Sequence, residues 1–157
     1  MDRTDSRIIE LLQKNARLPN NDLAVKLVMA PSSSWERVKR LHEAGVFTGF
    51  HARVAPASLG IRLQAMIAVR IARHSHDLVE KFRNEILKVP EVTAFYHLAG
   101  RDDFLVHVAV RDADHLRELV LGRFTTRPEV AHLETHLVFE HVQKEALPNY
   151  TVEEPER

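Results

Sequence analysis

Three short apolar stripes at helical spacing before residue 48, a change of pattern over residues 49–63, and two strand-helix-strand runs after it predict an α+β chain. The predicted architecture is a winged-type helix-turn-helix of three helices over residues 1–48, then a linker strand and connector over 49–63. A ferredoxin-like βαββαβ domain over 64–147 and a flexible tail over 148–157 complete it. An internal echo supports the second domain. Val89-Pro90-Glu91-Val92 and Arg127-Pro128-Glu129-Val130 each follow a predicted helix, which marks a duplicated unit.

The first helix is expected from about Asp5 to Lys14, with Ile8, Ile9, Leu11 and Leu12 on its apolar side and Asp2 or Thr4 as N-cap. Asp5 suits the positive end of its dipole. Pro19 interrupts, and Asn20 or Asn21 caps a second helix whose apolar face is Leu23, Ala24 and Leu27. After the break Val28-Met29-Ala30-Pro31, a third helix runs from Ser32 to Gly45. Pro31 suits its first position and Gly45 its end. The first two are too short to stand alone and must close with the third on a shared core. Ser34 and Trp35 compete for the inward position ahead of Val38 and Leu41, since i,i+3 and i,i+4 spacings are both available. A small Ser34 facing inward would leave Trp35 at the surface.

Gly49 to Val54 alternates as a short strand does, and Pro56, Ala57, Ser58 and Gly60 make a connector. Strands are expected at 64–72, 91–99, 103–111 and 130–141, and helices at 75–88 and 112–124, the latter capped by Asp112 or Asp114. Gly100-Arg101-Asp102-Asp103 is the tight turn joining the two units. One sheet face is left without helices, and Met66, Ala68, Phe95, Leu105 and Ala109 are expected on it. That face is apolar enough to need cover. Face-to-face pairing with a second copy predicts a homodimer.

The chain has no cysteine, which excludes disulfides, thiolate nucleophiles and thiolate metal sites. It shows neither an apolar leader nor a run of the roughly 20 apolar residues that a membrane span needs, so a cytoplasmic chain without membrane partners is expected. Formal charge is zero overall, with +2 in residues 1–48 and −2 in the remainder. A chain this weakly cationic must present several copies to DNA, because each phosphate contact adds to affinity.

Ser32, Ser33, Arg37 and Arg40 place hydroxyls and cations where a DNA-reading helix meets base edges and phosphates, and an exposed Trp35 can contact thymine methyls. In the turn, the carboxylates of Asp102 and Asp103 can hold an ammonium group, while Arg101 or the backbone amides can hold a carboxylate. A small zwitterion fits that chemistry. No nucleophile or cofactor motif accompanies the turn, so neither enzyme activity nor a cofactor is expected. The histidine pairs His74 and His76, His132 and His136, and His97 with His107 each lack the further ligands of a metal centre.

Taken in order, Asp2, Asp5, Ile8-Ile9, Arg17, Leu23-Ala24, Pro31, Arg37-Val38, Leu41, Gly45-Val46 and Gly49-Phe50 resemble the Lrp/AsnC family of leucine-responsive or feast/famine regulators. Leu59-Gly60, Pro90-Glu91-Val92, Gly100 with Asp103, and Thr135 extend the resemblance through the second half. It implies a DNA-binding transcriptional regulator that responds to an amino acid or similar metabolite. Its sheets would pair into a homodimer, and dimers would assemble into an octamer. It also implies a ligand role for Gly100, Arg101, Asp102 and Asp103, with Leu98 and Thr135 beside them. At the ligand turn Asp102 stands where the family often has an aromatic residue, and in the DNA-binding half two positions depart from the pattern. Val28 stands where the turn usually has glycine, and Ala30 where a serine usually caps the DNA-reading helix. These departures favour, as the alternative reading, a metabolite-binding oligomer with weakened DNA binding.

Overall fold

The computed structural model describes residues 1–72 and 75–151, which form two compact units. Met1–Arg53 and the segment from Val142 onward make the first, and Val54–His141 the second.

In the first unit, α1 (Arg3–Lys14), α2 (Asn20–Leu27) and α3 (Pro31–Glu43) close on Ile8, Leu12, Leu23 and Leu41. Complete burial of Ile8 or Leu23 is worth about 2 kcal/mol each, which supplies what these short helices lack in isolation. A reciprocal capping box starts α1: the Asp2 carboxylate accepts from the Asp5 N–H, and the Asp5 carboxylate accepts from the Asp2 N–H. Asn20 does not cap α2. Pro19 holds the cap position, and the Asn20 side chain donates to the Pro31 carbonyl at 2.8 Å, tying the start of α2 to the start of α3.

The turn between α2 and α3 is a Schellman closure, with the Met29 N–H bonded to the Ala24 carbonyl and the Val28 N–H to that of Val25. Its left-handed residue is Val28, at φ 54° and ψ 50°. A left-handed conformation costs an L-residue roughly 1–2 kcal/mol, and branching at Cβ makes it worse. Ala30 offers no side-chain cap to α3, while Pro31 occupies its first position. The helix ends in a second Schellman closure at Gly45, φ 70°, where glycine avoids that cost.

The expected strand over 49–54 does not form: among the described residues no segment pairs with it in a backbone ladder. The chain returns to this unit after residue 141. The Arg53 guanidinium donates to the carbonyls of Gln143 and Lys144, and the Leu147 N–H donates to Gln13 Oε1 at 2.8 Å.

The second unit is an antiparallel sheet in the order β2-β3-β1-β4: β1 Leu63–Ile71, β2 Val92–His97, β3 Phe104–Val110 and β4 Val130–Val138. α4 (His76–Ile86) and α5 (Ala113–Leu119) cover one face, capped by Ser75 and Asp112. Alternation sends Ala65, Ile67, Val69 and Ile71 of β1, and Phe104, Val106, Val108 and Val110 of β3, into the core with Phe82, Ile86 and Leu116. α5 passes into a π-helical turn over Val120–Thr125. The wider turn brings Phe124, five residues after Leu119, into the core; regular α-helix would have offered Arg123.

Met66, Ala68, Leu105 and Ala109 occupy the helix-free face, as their registers with core neighbours require. Phe95 does not. A bulge between Val92 and Ala94 shifts β2 by one residue, so Phe95 pairs with Val106 and packs 5.1 Å from the Phe104 ring, centroid to centroid. Ala94 and Tyr96 take the helix-free face instead. The same shift separates His97, whose ring lies 5.0 Å from that of Phe104, from His107 on the opposite face. His74 lies outside the described residues.

Candidate nucleic-acid interface and effector turn

Along α3, Ser34 is completely buried, and this leaves Ser32, Ser33 and Trp35 exposed on the outer side. The Lys39 ammonium lies 5.3 Å from the Trp35 ring centroid, one helical turn on, in a cation–π arrangement. Hydroxyls, an aromatic face and a cation thus share one surface. The two arginines are placed differently. Arg37 donates to Asp2 at 2.7 Å and to Asp5 at 2.8 Å, and Arg40 reaches both oxygens of Asp5 at 2.8 Å. The Asp5 N–H, and next to it the Arg37 guanidinium, hold the Asp2 carboxyl below its usual range, and Arg37 is held the more firmly charged. Both arginines therefore brace α3 against the start of α1.

The Gly100–Asp103 turn is bound to the ends of β1 and β2. The Leu98 N–H donates to the Asp103 carbonyl and the Asp103 N–H to the Val69 carbonyl; the Asp103 carboxylate accepts from the Ile71 N–H at 2.8 Å. Asp103 is thus part of the frame of the turn. Arg101 and Asp102 point to charged neighbours on the helix-free face: Arg101 lies 3.5 Å from Glu134, and Asp102 lies 3.5 Å from Arg70. Glu134 also meets His132 at 3.2 Å and His136 at 3.7 Å. His132 first, and Arg101 after it, hold the Glu134 carboxyl below its usual range. Thr135 pairs with buried Ile67 and so lies on the helix-bearing side, away from Glu134 and the Arg101 contact. Among the described residues no three potential metal ligands gather.

Residues 1–42 match the AsnC-type helix-turn-helix domain model, and residues 64–148 match the Lrp/AsnC ligand binding domain model. The chain belongs to the Lrp/AsnC family. It is 40% identical over 143 residues to the HTH-type transcriptional regulator AldR of Mycobacterium tuberculosis, covering 91% of this chain and 80% of that protein. The leucine-responsive regulatory protein of Haemophilus influenzae is 30% identical over 144 residues, covering 92% and 87%. Among solved structures, a transcriptional regulator of Neisseria meningitidis in complex with L-Met superposes with a TM-score of 0.85 at 30% identity, covering 92% of this chain and 93% of that one.

This Lrp/AsnC chain is accordingly a helix-turn-helix transcriptional regulator with a ligand-binding domain. Sequence reasoning missed three of the residues that shape its two surfaces. Lys39 was signalled by its i,i+4 spacing from Trp35. Asp5 carried only the signal of a first-turn acid, because its arginine partners lie 32 and 35 residues away. Arg70 carried no signal, since only strand register brings it beside the turn.

Proposed function

We propose that this protein binds operator DNA through copies of α3 and that an amino acid or similar metabolite at the Gly100–Asp103 turn alters its assembly or DNA affinity. The observation that carries the DNA reading is the burial of Ser34, which turns Ser32, Ser33, Trp35 and Lys39 outward together. Arg37 and Arg40 serve that surface mainly by fixing the helix, with the half-exposed Arg40 able to share its charge with a phosphate. Leu98, Gly100, Arg101 and Asp102 contact the effector and Asp103 shapes the turn, while Thr135, on the helix-bearing side of β4, lies away from them. The L-Met complex of the Neisseria regulator supports an amino-acid effector.

The helix-free face pairs with a second copy, and dimers assemble toward an octamer in the cytoplasm. No described helix is long and apolar enough to cross a membrane. Gel-shift titration on the DNA upstream of its own gene tests the DNA reading. Trp35→Ala and Lys39→Ala weaken binding without lowering thermal stability, and Lys39→Ala reduces the slope of log affinity against log salt by about 1. Wild-type binding no tighter than that of these variants overturns it.

The left-handed Val28 and the uncapped Ala30 favour one second reading, a metabolite-binding oligomer with weakened DNA binding. Calorimetry that finds specific DNA binding but no amino-acid binding removes it.

A further inference from the structure

The buried stripe of α3 is Ser34 and Leu41, with half-buried Val38 between them. A helix turns about 100° per residue, so exposed Glu36, two residues after Ser34, points almost directly away from that stripe. Ser32, one turn before it, lies along the same outer line. Helical spacing also brings Lys39 and Arg40, three and four residues on, within reach of Glu36. Neither takes it. The Lys39 ammonium lies over the Trp35 ring and 3.8 Å from Glu43, and Arg40 is held by both oxygens of Asp5. Among the described residues the Glu36 carboxylate has no hydrogen-bond or ion-pair partner. A free acid on the outermost line of a DNA-facing helix repels phosphates, and a chain of zero formal net charge has little general attraction to offset that. The repulsion is compensated where the carboxylate accepts a hydrogen bond from a base.

We propose that Glu36 reads a cytosine in the major groove of the operator and is a determinant of sequence specificity. The proposal rests on the reading of α3 as the DNA-contacting helix. Glu36 lies in the N-terminal half of α3, the half that meets base edges when such a helix enters the groove. There cytosine presents its N4 amino group, a donor that a carboxylate accepts, whereas guanine and thymine present acceptors to the same position. Adenine sets its N6 donor beside an N7 acceptor, which repels a carboxylate and suits an amide instead. Glu36 therefore favours one base over the other three. The hydroxyls of Ser32 and Ser33 both donate and accept, so they discriminate less.

The test uses the full-length chain. Wild type, Glu36→Gln and Glu36→Ala each select duplexes from a randomised pool, and competition titrations then replace every selected C·G pair in turn. Wild type is expected to select a constant cytosine, and replacing that pair weakens its binding about fivefold or more, against less than about twofold for Glu36→Ala. Glu36→Gln moves the preference at that one position to adenine and leaves the others unchanged. Selected wild-type sites without a constant cytosine overturn the proposal, with no recourse to the variants. Base preferences that are the same in all three proteins also overturn it, including the case in which Glu36→Ala binds every sequence more tightly by one factor, the mark of an acid that only repels phosphates. A wild type that enriches no sequence overturns the DNA reading of α3 together with this proposal; the preceding outcomes overturn only the proposal.

Discussion

Both carboxylate oxygens of Asp5 lie 2.8 Å from one guanidinium nitrogen of Arg40, and one of them also accepts from Arg37 at 2.8 Å. The Asp5 side chain is 4% exposed, so a buried carboxylate at the start of one helix is answered by two cations on another. It also closes the capping box of its own helix. Asp5→Ala removes all of this at once and is expected to destabilise the helical unit by roughly 2–4 kcal/mol. Urea denaturation checks it, and a loss below about 0.5 kcal/mol, the usual range of surface changes, contradicts it. Arg40→Ala is then expected to lower DNA affinity partly through lost stability, which the melting temperature exposes.

Val28 holds the left-handed position of the turn with its side chain almost wholly in solvent, so nothing offsets the backbone cost. Val28→Gly is expected to stabilise the chain by about 1 kcal/mol, the relief of strain exceeding glycine's greater unfolded-state freedom. Ala30→Ser adds about 1 kcal/mol by capping α3. Chemical denaturation of the two single variants and the double tests both figures, and no gain in either single variant refutes the corresponding claim.

Ser34 Oγ is buried in the helical core without a hydrogen-bond partner. Replacing it with alanine removes the orphan hydroxyl and improves helix propensity, so Ser34→Ala is expected to stabilise the unit by about 1 kcal/mol. A loss of stability on this substitution shows that the hydroxyl has a partner.

His107, enclosed on the helix-free face beside Thr93 and His141, has its imidazole held below the ordinary value of about 6.5, by burial first and by His141 second. The unfolded chain therefore takes up this proton before the folded one does as pH falls. Stability from neutral His107 is complete above about pH 6.5 and declines from there toward the lower pKa of the folded state. His107→Gln flattens that decline. Melting temperatures measured between about pH 7.5 and 5.5 test it, and equal slopes for the two proteins count against it.

The helices and strands were legible wherever one apolar period ran unbroken, as in Phe104, Val106, Val108 and Val110. Reading failed where one residue was added. The bulge before Ala94 turned Phe95 inward, and the π turn after Leu119 gave the core Phe124, because each inserts a residue that no period announces. At the surfaces, the sequence pointed to α3 and to the turn, but their braces depend on distant pairings. Asp5 reaches Arg37 and Arg40, and Arg70 reaches Arg101 and Asp102, across folds that composition does not encode. The strand over 49–54 was misread for the opposite reason: alternation was present, but a ladder also needs a neighbour.

The bond from the Leu147 amide to Gln13, with Arg53 gripping the carbonyls of Gln143 and Lys144, makes the helix-turn-helix unit out of two stretches of chain separated by the whole sheet unit. A gene fragment ending at residue 53 therefore encodes the three helices without the strap that lies across them. Recombination that joins this DNA reader to another sensor end to end leaves the strap behind, whereas inserting a foreign sensor between residues 53 and 142 preserves it. The natural way to re-engineer this regulator is by insertion.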